Sequence, residues 1–160
     1  MSTLLYVKKL FPDAQLPVRA NATDSGLDVF VHHFEQYVPN ADKFPLEQDY
    51  VRLGHGDRIF IATGLSVAVA PGFEVQVRPR SGNALKRGLT VLNTPGTIDC
   101  SYRGPVNVII INLSNEFQVI KRGEKIAQLV VAPVCLAAVV EVEDLDKTDR
   151  GEGGFGSTGA

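Results

Sequence analysis

Five stretches of the 160-residue chain combine residue types that bind anions or activate water. The last eleven residues, Arg150-Gly151-Glu152-Gly153-Gly154-Phe155-Gly156-Ser157-Thr158-Gly159-Ala160, include five glycines, one cation and one ring. Glycine lets backbone N–H groups turn toward an anion, Arg150 adds charge, and the Phe155 ring can cover a flat base. No Gly-Lys-Ser/Thr end is present, so this is not a Walker loop. Pro79-Arg80-Ser81-Gly82 opens a short helical pattern, where unpaired N–H groups favour phosphate. Asn93-Thr94-Pro95-Gly96-Thr97-Ile98-Asp99 reads as a tight turn between two short strands, lining one hairpin. Beside apolar Ile98, Asp99 reads as a partly buried general base. Asp24 and Asp28 flank Gly26, and Gln128 stands among apolar strand residues. Each stretch also has a plainer reading: a frayed end, a Ser-capped helix with a surface Arg, a surface carboxylate, a solvated turn, an edge-facing amide.

The elements that must hold these residues are mostly strands. Phe73–Arg78 alternates apolar and polar, while Val106–Ile111 and Ile126–Val131 are nearly continuous apolar runs, as in strands covered on both faces. Arg58–Thr63 and Leu65–Val69 read as two further runs separated by Gly64. About ten to twelve short strands between turn residues predict an all-β sandwich, jelly roll or barrel. One short helix is expected, Ser81–Arg87, with Ser81 as N-cap and Gly88 as stop. Residues 35–50 read as a long polar excursion, and adjacent His32 and His33 are expected on opposite faces of a strand.

Composition sets the outer limits. Sixteen Lys+Arg against 18 Asp+Glu is too even for a nonspecific nucleic-acid binder, and 44% hydrophobic residues exclude wholesale disorder. No apolar run approaches a membrane span, and the N-terminal charges follow rather than precede the first apolar stretch, unlike a secretory signal. Two cysteines are too few for a disulfide framework. These features suit a cytoplasmic protein with free thiols and no zinc-type ligand cluster.

Taken together and in order, the stretches from Ala22 to Gly159 resemble the five motifs of the homotrimeric dUTPases. The resemblance implies a distorted β jelly roll spanning residues 1–149, with a mobile Gly-rich arm, 150–160, as a lid. It implies a homotrimer with sites shared between subunits, hydrolysing dUTP to dUMP and pyrophosphate, which keeps uracil out of DNA and supplies dUMP for thymidylate synthesis. Asp99 would activate the attacking water. Asn93 and the Gly96-Thr97-Ile98-Asp99 backbone would read uracil, Tyr102 would pack on the deoxyribose, and Asn107 would join the substrate contacts. Arg80, Ser81, Gly82 and Gln128 would hold phosphates, and Asp28 would meet the water shell of Mg²⁺ carried by the triphosphate. Arg150, Phe155, Gly156 and Ser157 would form the lid, with Phe155 over uracil. The 35–50 excursion is longer than in shorter members of the family, and it lies outside every motif.

An acidic chain needs such local donors to hold a triphosphate, and in-line attack at the α-phosphorus rests on positioned water and charge stabilisation. A dCTP deaminase shares the general pattern but lacks this tail. A non-catalytic nucleotide-sensing jelly roll would have no use for Asp99, Arg150 and Phe155 together. The chain has no Trp, so Phe155→Trp supplies one indole without background. Its emission should be quenched by a non-hydrolysable dUTP analogue with Mg²⁺, less by the diphosphate, and least by dUMP. Equal small changes for all three would refute closure of the tail.

Overall fold

The computed structural model describes residues 3–36 and 44–154. The elements run β1 (Tyr6–Lys9), β2 (Leu27–Phe30), β3 (His33–Gln36), β4 (Phe44–Leu46), β5 (Tyr50–Leu53), β6 (Arg58–Ala68) and β7 (Phe73–Pro79). Helix α1 (Ser81–Arg87) follows, then β8 (Leu89–Val91), β9 (Gly96–Ile98), β10 (Pro105–Asn112), β11 (Gln118–Lys121) and β12 (Lys125–Pro133). All pairings are antiparallel. One sheet has the order β4-β3-β6-β10-β8 with β1 also on β6, a second is β2-β12-β7-β9, and β5 pairs with β11. This is the expected jelly-roll-like β architecture.

Alternation explains the layers. In β7, Val75 and Val77 are buried while Glu74, Gln76 and Arg78 face outward. In β10, Val106, Val108 and Ile110 enter the core, whereas Asn107, Ile109 and Ile111 are only half-covered, so its second face is less buried than an all-apolar run suggests. The core joins the sheets through Val29, Phe34, Ile61, Leu65, Val75, Ile110, Ile120 and Leu129. Burying side chains of this size contributes about 1.5–3 kcal/mol each.

Several expectations change at this level. The two apolar runs around Gly64 form one eleven-residue strand, β6. On one side of β6 the partner changes at Gly64, from β3, which ends opposite Ala62, to β1, which begins opposite Leu65. Gly64 takes φ +72, and a Cβ there would lie 2.9 Å from the Ala14 Cβ and 3.0 Å from His32 Cγ. Part of the 35–50 excursion is strand: β3, β4 and the start of β5. Residues 37–43 lie outside the described part.

The helix occupies Ser81–Arg87 and stops at Gly88, φ +63, as expected. Its N-cap, however, is Arg80, in extended conformation and without a side-chain capping bond. Ser81 is already helical, so its hydroxyl is not spent on a cap. The Asn93–Asp99 segment is not a hairpin. Strand β8 pairs with β10 and β9 with β7, so the chain crosses between sheets there, through a cis Thr94–Pro95 peptide.

His32 precedes β3 rather than lying in a strand, so the two rings meet instead of diverging. Their Nδ1 atoms are 2.7 Å apart, and His32 Nε2 lies 3.0 Å from Asp13 Oδ1. That hydrogen bond holds the Asp13 carboxyl below its ordinary range. Cys100 and Cys135 are free thiols. Among the described residues, no helix is long and apolar enough to cross a membrane.

Replacing Gly64 by alanine should destabilise the fold by at least ~1–2 kcal/mol, the usual cost of the left-handed conformation, with the Ala14 and His32 contacts adding to it. The urea midpoint, measured at fixed protein concentration, reads this directly. An unchanged midpoint would show that the strand does not need a glycine there.

Candidate active site

Strand register builds one cluster. Asp28 on β2 stands opposite Gln128 on β12, which stands opposite Arg78 on β7, and Arg80 follows directly after β7. A cavity of about 350 Å³ is lined by Asp24, Asp28, Arg80, Ser81, Gly82 and Gln128, among others. Arg80 Nε donates to Asp28 Oδ1 at 2.8 Å, and Lys125 Nζ lies 3.0 Å from Asp28 Oδ2. One carboxylate thus carries two cations with its side chain only 13% exposed. Arg80 Nη1 also donates to the Lys125 carbonyl at 3.3 Å. Ser81 and Gly82 are exposed at the start of α1, beside this charge.

Gln128 donates through Nε2 to the Pro79 carbonyl at 2.9 Å. Its amide crosses Gly26 so closely that a Cβ there would sit 2.0 Å from Oε1. The glycine is the cradle of the glutamine.

The second cluster lies elsewhere. Gly96, Thr97 and Ile98 form edge strand β9, and a Cβ on Gly96 would come within 3.2 Å of Asn93 Nδ2. Tyr102 donates its N–H to the Asp99 carbonyl at 3.0 Å and its hydroxyl to the Pro105 carbonyl at 3.2 Å. Asp99 is exposed, not partly buried as its apolar neighbour suggested. It falls just past the end of an edge strand, where nothing among the described residues closes over it. A cavity of about 240 Å³ beside it includes Phe73, Glu74, Cys100 and Leu136.

Asn107 joins neither cluster. It stands on β10 opposite Ala62, and its buried Oδ1 has no partner among the described residues. Arg150 is exposed and bonds through Nε to the Gly153 carbonyl. Phe155, Gly156 and Ser157 lie outside the described residues. Sequence reasoning missed Lys125 and buried Asn83, whose Nδ2 donates to the Lys125 and Ile126 carbonyls. No motif marks either one, because only the fold brings them to Arg80.

The two clusters are far apart. Val75 pairs with Ile98 and Val77 with Gly96, so Asp99 falls level with Glu74, while Arg80 follows the other end of β7. Six residues at ~3.3 Å each place Asp99 and Arg80 about 20 Å apart along the strand.

For a metal, the donor set is sparse. Among the described residues, no group of three or more His, Cys, Asp or Glu could hold an ion. Asp28, with both oxygens already facing cations, suits contact through water with an ion held by substrate oxygens better than direct ligation.

A family model described as dUTPase matches residues 46–159. The chain belongs to the dUTPase family. It is 46% identical over 155 residues to a deoxyuridine 5'-triphosphate nucleotidohydrolase of a Hydrogenobaculum species, covering 97% of each chain. To the protein of that name from Caulobacter vibrioides it is 51% identical over 149 residues, covering 92% of this chain and 88% of that one. The dUTPase of Staphylococcus bacteriophage 80alpha, solved with dUpNHpp, superposes with a TM-score of 0.76 at 27% identity, covering 98% of this chain and 99% of that one.

In this dUTPase, Gly26→Ala should leave the fold intact, since the clash is with a side-chain end, yet push the Gln128 amide off Pro79. Affinity for a nucleoside triphosphate analogue should fall about tenfold while the melting temperature barely moves, a loss typical of one displaced polar contact. Unchanged affinity by calorimetry would remove Gln128 from the phosphate contacts.

Proposed function

We propose that this chain hydrolyses dUTP to dUMP and pyrophosphate as a homotrimer whose active sites each draw on more than one subunit. The observation that carries this is the distance between the two clusters. Both are needed at one α-phosphorus, yet a single chain holds them at opposite ends of β7. A second copy must bring its Asp99 end to the first copy's Arg80 end. The separation supports a site built from more than one subunit, and the resemblance to the homotrimeric dUTPases supports three.

A further support is the segment after β12. Among the described residues, no backbone hydrogen bond ties Cys135–Lys147 to the sheets, and Leu136, Val139, Val140, Val142 and Leu145 are all exposed. Leu136, Val139 and Leu145 each exceed 80% exposure. Such a run needs another surface to cover it.

In the reaction, Asp99 accepts a proton from water as the water oxygen bonds to the α-phosphorus. The bond from that phosphorus to the bridging oxygen breaks, and pyrophosphate leaves with the electron pair. Arg80, the first N–H groups of α1 and Gln128 hold the outer phosphates. Mg²⁺ carried by those phosphates, with Asp28 meeting its water shell, would neutralise charge as it develops. Asn93 and the β9 backbone read the uracil edge, and Tyr102 packs on the sugar. Residues 150–160 close the site, with Arg150 on the phosphates and Phe155 over the base, and Gly156 and Ser157 adding donors.

Mixing two inactive variants tests both halves of the proposal. Asp99→Asn should keep nucleotide binding and lose about 10²–10⁴ in kcat. Arg80→Ala should be similarly poor through lost phosphate contacts. Refolded together in equal amounts, they should regain about a quarter of wild-type dUTP turnover, because one pairing of neighbours in four carries both intact groups. Pyrophosphate release from dUTP, and not from dTTP, dCTP or UTP, is the assay. A mixture no better than its parts would rule out sites shared in this way.

A further inference from the structure

We infer that Lys125 is a positioning residue that keeps one edge of Arg80 free for phosphate by occupying the second oxygen of Asp28. The inference rests on the nucleotide-hydrolysis proposal above and goes beyond it, because Lys125 touches no substrate.

The geometry of the guanidinium carries the case. Arginine has five N–H donors in a planar fork, and a carboxylate normally takes two of them side by side. Here Asp28 takes one. Its Oδ1 accepts from Nε at 2.8 Å, while its Oδ2 lies 3.0 Å from the Lys125 ammonium. A second donor of Arg80, on Nη1, goes to the Lys125 carbonyl at 3.3 Å. Both N–H groups of Nη2 and one of Nη1 are left, and one of the Nη2 pair lies beside Nε, where a phosphate oxygen can reach it. Without the ammonium, Oδ2 has only Arg80 to turn to. The pair would then close in the usual two-pronged form through Nε and Nη2, and the Nη2 N–H beside Nε would be lost to phosphate.

The backbone holds Lys125 at this task. Ala127 pairs with Val29 and Lys125 with Phe30, so Ile126 is an extra residue in β12. The irregularity buries Ile126 and Ala127 in succession and turns Lys125 onto the face of Asp28 and Gln128. In a regular strand Lys125 would share the face of Ala127 and point into the core. The Lys125 carbonyl is fixed by Asn83 as well, at 3.3 Å, and its ammonium lies 5.9 Å from the centre of the Phe30 ring. At 37% side-chain exposure the ammonium keeps contact with water.

The test compares Lys125→Met and Lys125→Gln with Lys125→Arg, reading the folded, assembled fraction of each by sizing and calorimetry. For the neutral variants, affinity for a non-hydrolysable dUTP analogue should fall about tenfold, and affinity for dUMP should stay within about twofold of wild type. KM for dUTP should rise with kcat little changed, and Lys125→Arg should bind the analogue as wild type does. In an Asp28→Asn background the Lys125→Met loss should vanish, because no carboxylate remains to close on Arg80. Equal losses for analogue and monophosphate, a loss shared by Lys125→Arg, or the same loss with and without Asp28 would overturn the inference. Wild-type protein in the same assay separates the two claims. If it does not release pyrophosphate from dUTP, the functional proposal fails; if it does and Lys125→Met binds the analogue normally, only the role of Lys125 fails.

Discussion

A strand cannot fold back on itself. In β7 that constraint governs everything around it. The strand is hydrogen bonded to β12 along all seven of its residues on one side and to β9 at Val75–Val77 on the other. The fold uses one end to carry the anion-binding start of α1 and sets the Asp99 turn beside the other. Each chain therefore carries its two clusters at opposite ends of one strand. In the proposed assembly, exposed Asp99 and the open cavity at Arg80 are the surfaces that a neighbouring copy would complete.

Rigidity at the phosphate end has a separate origin. A helix of seven residues has almost no stability of its own. Here α1 and its N-cap are fastened to β11, β12 and the turn between them at three levels. Arg87 reaches Glu124 and the Val119 carbonyl, Asn83 reaches the Lys125 and Ile126 carbonyls, and Arg80 reaches the Lys125 carbonyl. The helix start is thus as firmly placed as the sheet beneath it. Preorganised donors of this kind spend little ordering entropy when an anion arrives.

Much of this was legible in the sequence, for identifiable reasons. The alternation of Phe73–Arg78 marked a half-buried strand, and Gly88 marked the helix end, because both are local effects. The residues of both clusters stood in motifs with a family order. What local pattern does not encode is register. The irregularity at Ile126, which turns Lys125 toward Asp28, looks like one more apolar residue in a run. Gly64 reads as a break between strands, although it is the hinge of partners along one strand. Asp99 reads as half-buried beside Ile98, yet it is exposed, because it lies just past the end of edge strand β9. The turn around Pro95 looks like a hairpin from its residues, and only the pairing of β8 with β10 and β9 with β7 shows that it bridges two sheets.

The uncovered segment after β12 has a consequence for the life of the protein in a cell. A chain just released from synthesis carries five bare apolar side chains on backbone that forms no sheet, which is the form proteases and holdase chaperones recognise. In the proposed homotrimer, covering them would require encounter with other copies, a process whose rate climbs with the amount of protein made. Low expression would then mean more than proportionally little enzyme, since newborn chains would be degraded before they met. Stability and abundance would then be one quantity, and the heat tolerance of the proposed assembly would rise with its own concentration.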